Sequence, residues 1–231
     1  MRNNKTHSAL WQKRWNKETE DKPFAATAGV DNPQEIFSFL HQVNLLSDAL
    51  KLQSTDNVLD IGCNRGLYLA ALASRVGHIT GIDYAAAPIE EAKKNIAPYA
   101  NVEARTGNVL DLPFKDSSFD KILVVSVLQY LDAESVEIAL KEIARVLKRG
   151  GLAYLSHIPD ASKKQEYFDG IEKLQKSPDE KKKIRERNEE ITWLDPDKLI
   201  ALAAGCKGAV VPTSDSVWFS RYAFSVIMEK I

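Results

Sequence analysis

The sequence predicts a doubly wound α/β fold, in which helices cover both faces of a central sheet. Short apolar runs alternate with amphipathic helical segments through residues 36–158, an order typical of a sheet whose strands are connected by helices. The run at 121–126 is apolar along its whole centre, as expected for a strand covered on both faces. A glycine-rich turn at 62–66, directly after the first run, is typical of such sheets.

The hydrophobic pattern predicts the elements in order. A helix before the first strand is predicted by apolar residues at helical spacing: Ile36, Phe39, Leu40, Val43, Leu46 and Leu50. The predicted strands of the central region are 58–61, 79–83, 102–105, 121–126 and 152–157. The predicted helices are 69–76, 87–97 and 135–148, and we expect Gly150 and Gly151 to end the last of them. A helix at 195–204 and strands at 208–212 and 222–229 follow.

Composition excludes several classes of partner. The net charge of −1 gives no general attraction to nucleic-acid phosphates or to anionic membrane surfaces, so we expect neither. Cys63 and Cys206 lack the spacing of a zinc site or a disulfide framework, and reduced thiols are predicted. The N-terminus has no apolar signal-peptide core, and no stretch approaches the ~20 apolar residues of a membrane span. The expected location is the cytoplasm.

Two segments lie outside the alternating pattern. We predict an N-terminal arm over 1–34 and one folded domain over 35–231, with a charged helical insertion at about 160–192. The arm carries Trp11, Trp15 and Phe24, too many large apolar groups for a purely solvated tail. We interpret it as a lid over a binding site, with packing against the sheet edge as the alternative. The insertion is interpreted as solvated, since its interspersed acids cancel its basic charge.

The ends of the first two strands carry the residues from which we infer a ligand. The turn from Asp60 to Gly66 brings backbone close to a ligand and directs helix N–H groups towards an anionic group, although it also fits a purely structural turn. Asp83 ends the next strand, where a carboxylate can accept hydrogen bonds from two ribose hydroxyls. Its alternative role is as a helix N-cap. Together the two loops indicate a nucleoside-type ligand.

Four ordered motifs resemble those of the class I S-adenosylmethionine-dependent methyltransferases. They are VLDIGCNRG at 58–66, GID at 81–83, GNVLDLPFKDSSFD at 107–120 and ARVLKRGG at 144–151. The resemblance covers residues 36–158 and implies a seven-stranded Rossmann-like sheet whose last strand is antiparallel. It also implies S-adenosylmethionine as the cofactor and methyl transfer as the activity.

The same resemblance implies roles for individual residues. Asp60, Gly62, Cys63 and Gly66 would surround the amino and carboxylate groups of the methionine part, and Asp83 would bind the ribose. Around the rest of the cofactor, the family pattern implies Tyr84 along the adenine face, Asn108 and Val109 at its edge, and Ser126 facing the methionine. Asn64 stands where the family has a middle glycine, and Asn108 where it has an acidic residue. Asparagine tolerates left-handed backbone and can accept through its amide oxygen, so both positions remain in the predicted site.

Two other classes of function are weighed against this one. A nicotinamide-dependent oxidoreductase would require Gly-x-Gly-x-x-Gly, but Asn64 and Leu67 occupy the second and third glycine positions. A noncatalytic module that binds S-adenosylmethionine has the same motifs as an enzyme.

Methyl transfer requires alignment of an acceptor and exclusion of water, and it needs no metal. We predict no metal site, because the segment from Ser126 to Gln129 lacks an acidic cluster. His157, at the end of the fifth strand, is the candidate base for a hydroxyl acceptor, and a plain hydrogen-bonded histidine is its alternative. Tyr130 either lines the methyl-transfer site or packs on the core. The expected acceptor is a small molecule, methylated on an oxygen or nitrogen atom.

Overall fold

The central sheet has seven strands, as the family resemblance implies. The computed structural model describes residues 4–21, 33–213 and 218–231. The strands are β1 (Asn57–Ile61), β2 (His78–Asp83), β3 (Val102–Thr106), β4 (Phe119–Val125), β5 (Leu147–Pro159), β6 (Cys206–Val211) and β7 (Ala223–Lys230). Their order is β3-β2-β1-β4-β5-β7-β6, and β7 runs antiparallel to both of its neighbours. The predicted doubly wound sheet with an antiparallel last strand is confirmed.

Helices cover both faces of this sheet. They are α1 (Asn4–Asp21), α2 (Pro33–Leu50), α3 (Leu67–Leu72), α4 (Ala86–Ile96), α5 (Ala133–Val146), α6 (Lys164–Glu172), α7 (Pro178–Glu189) and α8 (Pro196–Leu202). Within β1, Val58 packs with the apolar residues of α2, α3 and α4, whereas Leu59 packs with those of α5 and α8. The alternation of side chains along a strand therefore gives the sheet one core on each face.

The strand order reverses beside β1, which lies between β2 and β4. In such sheets, the loops after the strands on either side of this point leave a crevice at the carboxyl ends. The loops after β1, β2, β4 and β5 therefore converge on one region.

Two expectations about helices were wrong in detail. The helix predicted to end at Gly150 and Gly151 ends at Val146, because Leu147 is already extended and pairs with Phe119 of β4. Gly150, with a φ of 73°, instead lies within β5, where the register with β4 shifts. In α2, the predicted buried stripe holds at Val43, Leu46 and Leu50, but Ile36 and Leu40 are almost half exposed.

The segment predicted as a charged insertion contains α6 and α7. The start of α7 is fixed by a capping box, in which the Ser177 hydroxyl accepts from the backbone N–H of Glu180 and the Glu180 carboxylate accepts from Ser177. None of the α7 side chains is fully buried, whereas α6 buries Tyr167, Phe168 and Ile171 against Tyr222. The insertion therefore packs on the domain through an aromatic cluster. Within the described residues, no helix is both long and apolar enough to cross a membrane.

Candidate functional site

One cavity of about 540 Å³ opens at the carboxyl ends of β1, β2, β4 and β5. Its walls include all the residues predicted for cofactor binding except Gly66, together with both catalytic candidates, His157 and Tyr130. Gly66 lies at the N-cap of α3, between the lining residues Arg65 and Leu67. The ends of β1 to β5 thus bring the predicted residues to one place.

The turn between β1 and α3 is held in left-handed backbone conformation at three positions. The φ angles are 80° at Gly62, 49° at Asn64 and 83° at Gly66. A Cβ atom on Gly62 would lie 2.3 Å from Cγ2 of Val127, so this position has no space for a side chain. Asn64 adopts the conformation that the missing glycine would have taken, as expected for asparagine. The turn is therefore compact and keeps its backbone against the cavity.

Asp83 links the second loop to this turn. Its carboxylate accepts hydrogen bonds from the backbone N–H groups of Asn64 at 3.0 Å and Ala85 at 2.9 Å. The N-cap position of α4 is occupied by Ala85, without a side-chain cap, so the alternative reading of Asp83 as the N-cap is wrong. The carboxylate lines the cavity and keeps further lone pairs for a ligand.

Asp60 is a buried carboxyl group at the base of the cavity. Burial, together with the nearby carboxylate of Asp83, raises its pKa to about 8. Its Oδ2 atom is buried and has no hydrogen-bond partner among the residues that the structure describes. An unpartnered buried oxygen is costly, and this atom is suited to a ligand that donates a hydrogen bond or carries positive charge. Burial also raises the pKa of the neighbouring Cys63 thiol, which stays neutral.

The loop after β3 supplies Asn108 and Val109 to the cavity wall, which also includes the 40% exposed side chain of Tyr84. The Asn108 side-chain oxygen accepts from the backbone N–H of Leu110 at 3.0 Å. The oxygen that we expected to accept from a ligand is thus partly used in a local turn, with one lone pair remaining.

Ser126, directly after β4, and His157, near the end of β5, have left-handed backbone, with φ angles of 56° and 57°. His157 lies where the register between β5 and β7 shifts, two residues before the end of β5, which the sequence pattern predicts at His157 itself. Burial lowers the pKa of His157 to about 4, so its ring is neutral at neutral pH. Its Nδ1 atom is 2.9 Å from the Ser156 hydroxyl, which is 2.9 Å from the hydroxyl of Ser225. The Ser225 hydroxyl in turn lies 3.0 Å from Oγ1 of Thr213. A chain of hydroxyl groups therefore fixes the orientation of the imidazole.

Helix α1 covers the side of the cavity near Tyr130. The rings of Trp11 and Trp15 lie 4.4 and 5.7 Å from the Tyr130 ring, measured between centroids, and all three line the cavity. Trp11 is only 4% exposed. Two further residues of α1 bind the loop after β2: Gln12 donates to the carbonyl of Tyr84 at 3.0 Å, and Asn16 accepts from the backbone N–H of Ala87 at 3.1 Å. Phe24 of the predicted arm lies outside the described residues.

Comparison with known proteins places this site in a family. Residues 59–155 match a methyltransferase domain family. Over 97 residues the chain is 37% identical to the demethylmenaquinone methyltransferase of Staphylococcus aureus, a match that covers 41% of this chain and 39% of that protein. The chain therefore matches about two fifths of the length of this curated relative. Residues 59–155 are therefore a methyltransferase domain of the class I S-adenosylmethionine-dependent type.

Solved structures of methyltransferases share the fold at low identity. The N-methyltransferase NodS from Bradyrhizobium japonicum, in complex with S-adenosylhomocysteine, has a TM-score of 0.66 at 17% identity, covering 95% of this chain and 97% of that chain. Phosphoethanolamine N-methyltransferase 1 from Haemonchus contortus has a TM-score of 0.72 at 16% identity, covering 99% of this chain and 50% of that chain.

The cavity is lined partly by residues outside the segment that matches the family. The matched segment of the methyltransferase contains the predicted cofactor residues and Tyr130, but His157, Trp11 and Trp15 lie outside it. Several cavity residues escaped the sequence reasoning: Gln12, Phe39, Gln42, Tyr68, Arg187 and Phe219. The spacing of Trp11 and Trp15, four residues apart on a helix, was the one available signal for the arm.

Two further observations describe the surroundings of the cavity. Among the residues of the three described ranges, no group of three or more His, Cys, Asp or Glu side chains could hold a metal ion. Arg221 and Tyr222 do not line the cavity, and Tyr222 packs in the aromatic cluster of α6.

Proposed function

We propose that this protein transfers the methyl group of S-adenosylmethionine to an oxygen or nitrogen atom of a small molecule. The observation that carries the proposal is the unpartnered, buried Oδ2 atom of Asp60, which lines the cavity beside the left-handed turn. The α-ammonium group of the cofactor's methionine part is a donor that would satisfy this atom. The family membership of residues 59–155 supports the same assignment.

The remaining cofactor contacts follow from the positions of the loops. Asp60, with Gly62, Cys63, Asn64 and Gly66 of the turn, would hold the methionine part, and Ser126 would face it from the end of β4. Asp83 would accept from the ribose hydroxyls. The adenine would lie between Tyr84 on one side and Asn108 and Val109 on the other. The 540 Å³ volume leaves room for a small acceptor next to the cofactor.

Methyl transfer needs few catalytic groups from the protein, because the cofactor already carries an activated methyl group. S-adenosylmethionine supplies a methyl group on a positively charged sulfur, so the carbon–sulfur bond breaks, leaving its electron pair on sulfur, as the bond to the acceptor forms. The rings of Trp11, Trp15 and Tyr130 exclude water from the cavity. His157 is the group that would take the proton from a hydroxyl acceptor. Hydrogen bonds running from Nδ1–H through the hydroxyls of Ser156 and Ser225 would leave Nε2 as the accepting atom.

A small acceptor agrees with the remaining observations. The matched relative is, by its name, a methyltransferase of demethylmenaquinone, which is a small molecule. The net charge of −1 does not favour a polyanionic acceptor.

Binding of S-adenosylhomocysteine is expected to tighten as the pH rises towards 8. Asp60 has a pKa of about 8 in the free protein, so at lower pH it must release a proton before it can pair with the ligand's ammonium group. Below that pKa, the affinity should rise by up to about tenfold per pH unit, with close to one proton released. Titration calorimetry in two buffers of different ionisation enthalpy measures both quantities.

The Asp60→Asn variant should bind the ligand more weakly and without this pH dependence. Asp197→Asn, at an exposed position on α8, serves as the matched control and should behave like the unchanged protein. Binding of NAD without binding of S-adenosylhomocysteine would overturn the proposed function.

His157→Asn is expected to lower kcat for a hydroxyl acceptor by about tenfold, while the affinity for S-adenosylhomocysteine stays the same. The expected effect is modest, because an imidazole with a pKa of about 4 is a weak base. An amine that is already neutral needs no such base, so its kcat should change less. Steady-state kinetics with one acceptor of each kind separates these cases, and equal losses for both acceptors would remove His157 from the proton transfer.

A further inference from the structure

Tyr68 is a cavity residue to which the cofactor assignment gives no role. It is the second residue of α3, which begins after the turn at 62–66, and it lines the cavity together with Asp60. We propose that the Tyr68 hydroxyl is a second acceptor for the α-ammonium group of S-adenosylmethionine, beside Asp60, and that Gln42 of α2 orients this hydroxyl. This inference rests on the proposed function, because it assumes that the turn holds the methionine part of the cofactor.

The first argument is the number of donors on the ligand. An ammonium group carries three N–H donors, and a buried donor without an acceptor is costly. The unpartnered Oδ2 atom of Asp60 can accept from one of them. The ammonium group therefore requires further oxygen atoms at the base of the cavity, and Tyr68 brings a hydroxyl oxygen to this wall.

The second argument is the direction of the hydrogen bond that Tyr68 makes. Its hydroxyl group donates to the side-chain oxygen Oε1 of Gln42 at 2.9 Å. A hydroxyl group has a single hydrogen, so a ligand that binds to the same oxygen must itself donate. The Tyr68 oxygen therefore suits an ammonium group and does not suit a carboxylate.

The electrostatic surroundings of Tyr68 agree with a cationic ligand. Burial raises the pKa of its hydroxyl, and so does the negative charge of Asp60. The hydroxyl is therefore neutral and keeps the hydrogen that it donates to Gln42. Because the charge of Asp60 acts on Tyr68, the two groups share one part of the cavity, and a positive charge is favoured there.

Contacts with α2 hold the Tyr68 side chain in place. Its ring lies 5.1 Å from that of Phe39 between centroids, at an angle of 53°, and its hydroxyl is bound by Gln42. Phe39 and Gln42 both line the cavity, and both lie outside the segment 59–155 that matches the family. A side chain that is already held at both ends loses little conformational freedom when a ligand binds. Gln42 is thus a positioning residue, and Tyr68 is the residue that would contact the cofactor.

The test is calorimetry with two ligands at a pH above 8, where Asp60 is ionised. They are S-adenosylhomocysteine and its deaminated analogue, in which hydrogen replaces the α-amino group, and displacement titration measures the weaker affinity. Tyr68→Phe should weaken binding of S-adenosylhomocysteine by about tenfold and leave binding of the deaminated analogue unchanged. Tyr99→Phe removes the same hydroxyl from an exposed position outside the cavity lining, and as the matched control it should change neither affinity.

Gln42→Leu should also weaken binding of S-adenosylhomocysteine alone, by less than Tyr68→Phe does. Added to Tyr68→Phe, it should cause no further loss, because Gln42 acts through the Tyr68 hydroxyl. The unfolding temperature of each variant shows whether it is folded. Equal losses for the two ligands, an unchanged affinity of Tyr68→Phe for S-adenosylhomocysteine, or additive losses in the double variant would overturn this inference alone. Failure of the unchanged protein to bind S-adenosylhomocysteine would overturn the proposed function, and the inference with it.

Discussion

Asp83→Ala should weaken binding of S-adenosylhomocysteine by more than about a hundredfold. The carboxylate would accept two hydrogen bonds from the ribose, and hydrogen bonds to a charged group contribute about 1.5–3 kcal/mol each. The same carboxylate also accepts from the backbone N–H of Asn64, so its loss releases the turn that would hold the methionine part. Calorimetry at a pH above 8, where Asp60 is ionised, measures the effect of Asp83 without competing protonation of its neighbour.

Asp83→Asn provides the matched comparison. An amide keeps one oxygen acceptor of the same size but loses the charge, and we expect a loss of affinity of about tenfold. Either substitution should also lower the pKa of Asp60, because the charge of Asp83 contributes to raising it. An unchanged affinity in Asp83→Ala would show that the ribose binds elsewhere.

Gly62→Ala is expected to lower the free energy of unfolding by about 2–5 kcal/mol. A left-handed backbone costs an L-residue about 1–2 kcal/mol, and overpacking of a filled site costs a further ~1–3 kcal/mol. Both costs apply here, since φ is 80° and the new Cβ would lie 2.3 Å from Cγ2 of Val127. Urea unfolding monitored by circular dichroism measures the change.

Gly150→Ala is the matched comparison that separates the backbone cost from the cost of overpacking. Its φ of 73° is similar, but no heavy atom lies within 4 Å of the added Cβ, so only the backbone cost of about 1–2 kcal/mol remains. Adding Val127→Ala to Gly62→Ala should recover the steric part, seen as a favourable coupling of at least about 1 kcal/mol in a double-mutant cycle. Equal losses at Gly62 and Gly150 would mean that contact with Val127 costs nothing.

The positions of the strands along the chain could be predicted because hydrophobic periodicity indicates which residues are buried on each face of a sheet. The buried strands β1, β2 and β4 read as short apolar runs, and their ends marked the site. The predicted end of α5 was wrong. Gly150 lies where the register between β4 and β5 shifts, and it does not cap the helix. Such a role depends on the partner strand and has no local signal in the sequence.

The cofactor side of the site was predictable for a similar reason. Asp60, Asp83 and the glycine turn follow directly from strands, and parallel strands bring their ends together. Arg187 and Phe219 could not be found in this way, because they reach the cavity through the packing of α7 and of the segment before β7. The partial use of the Asn108 oxygen by Leu110 was equally hidden, since the sequence does not specify the turn that binds it.

The hydrogen bonds between α1 and the residues Tyr84 and Ala87 affect how ligands enter and leave. The carbonyl of Tyr84 and the backbone N–H of Ala87 both belong to the stretch of chain immediately after Asp83. Docking of α1 and binding of the ribose therefore depend on the same few peptide units. Equilibria that share contacts are reciprocally coupled. Whatever steadies that stretch should therefore also hold α1 in place, and release of α1 should ease the departure of the spent nucleoside.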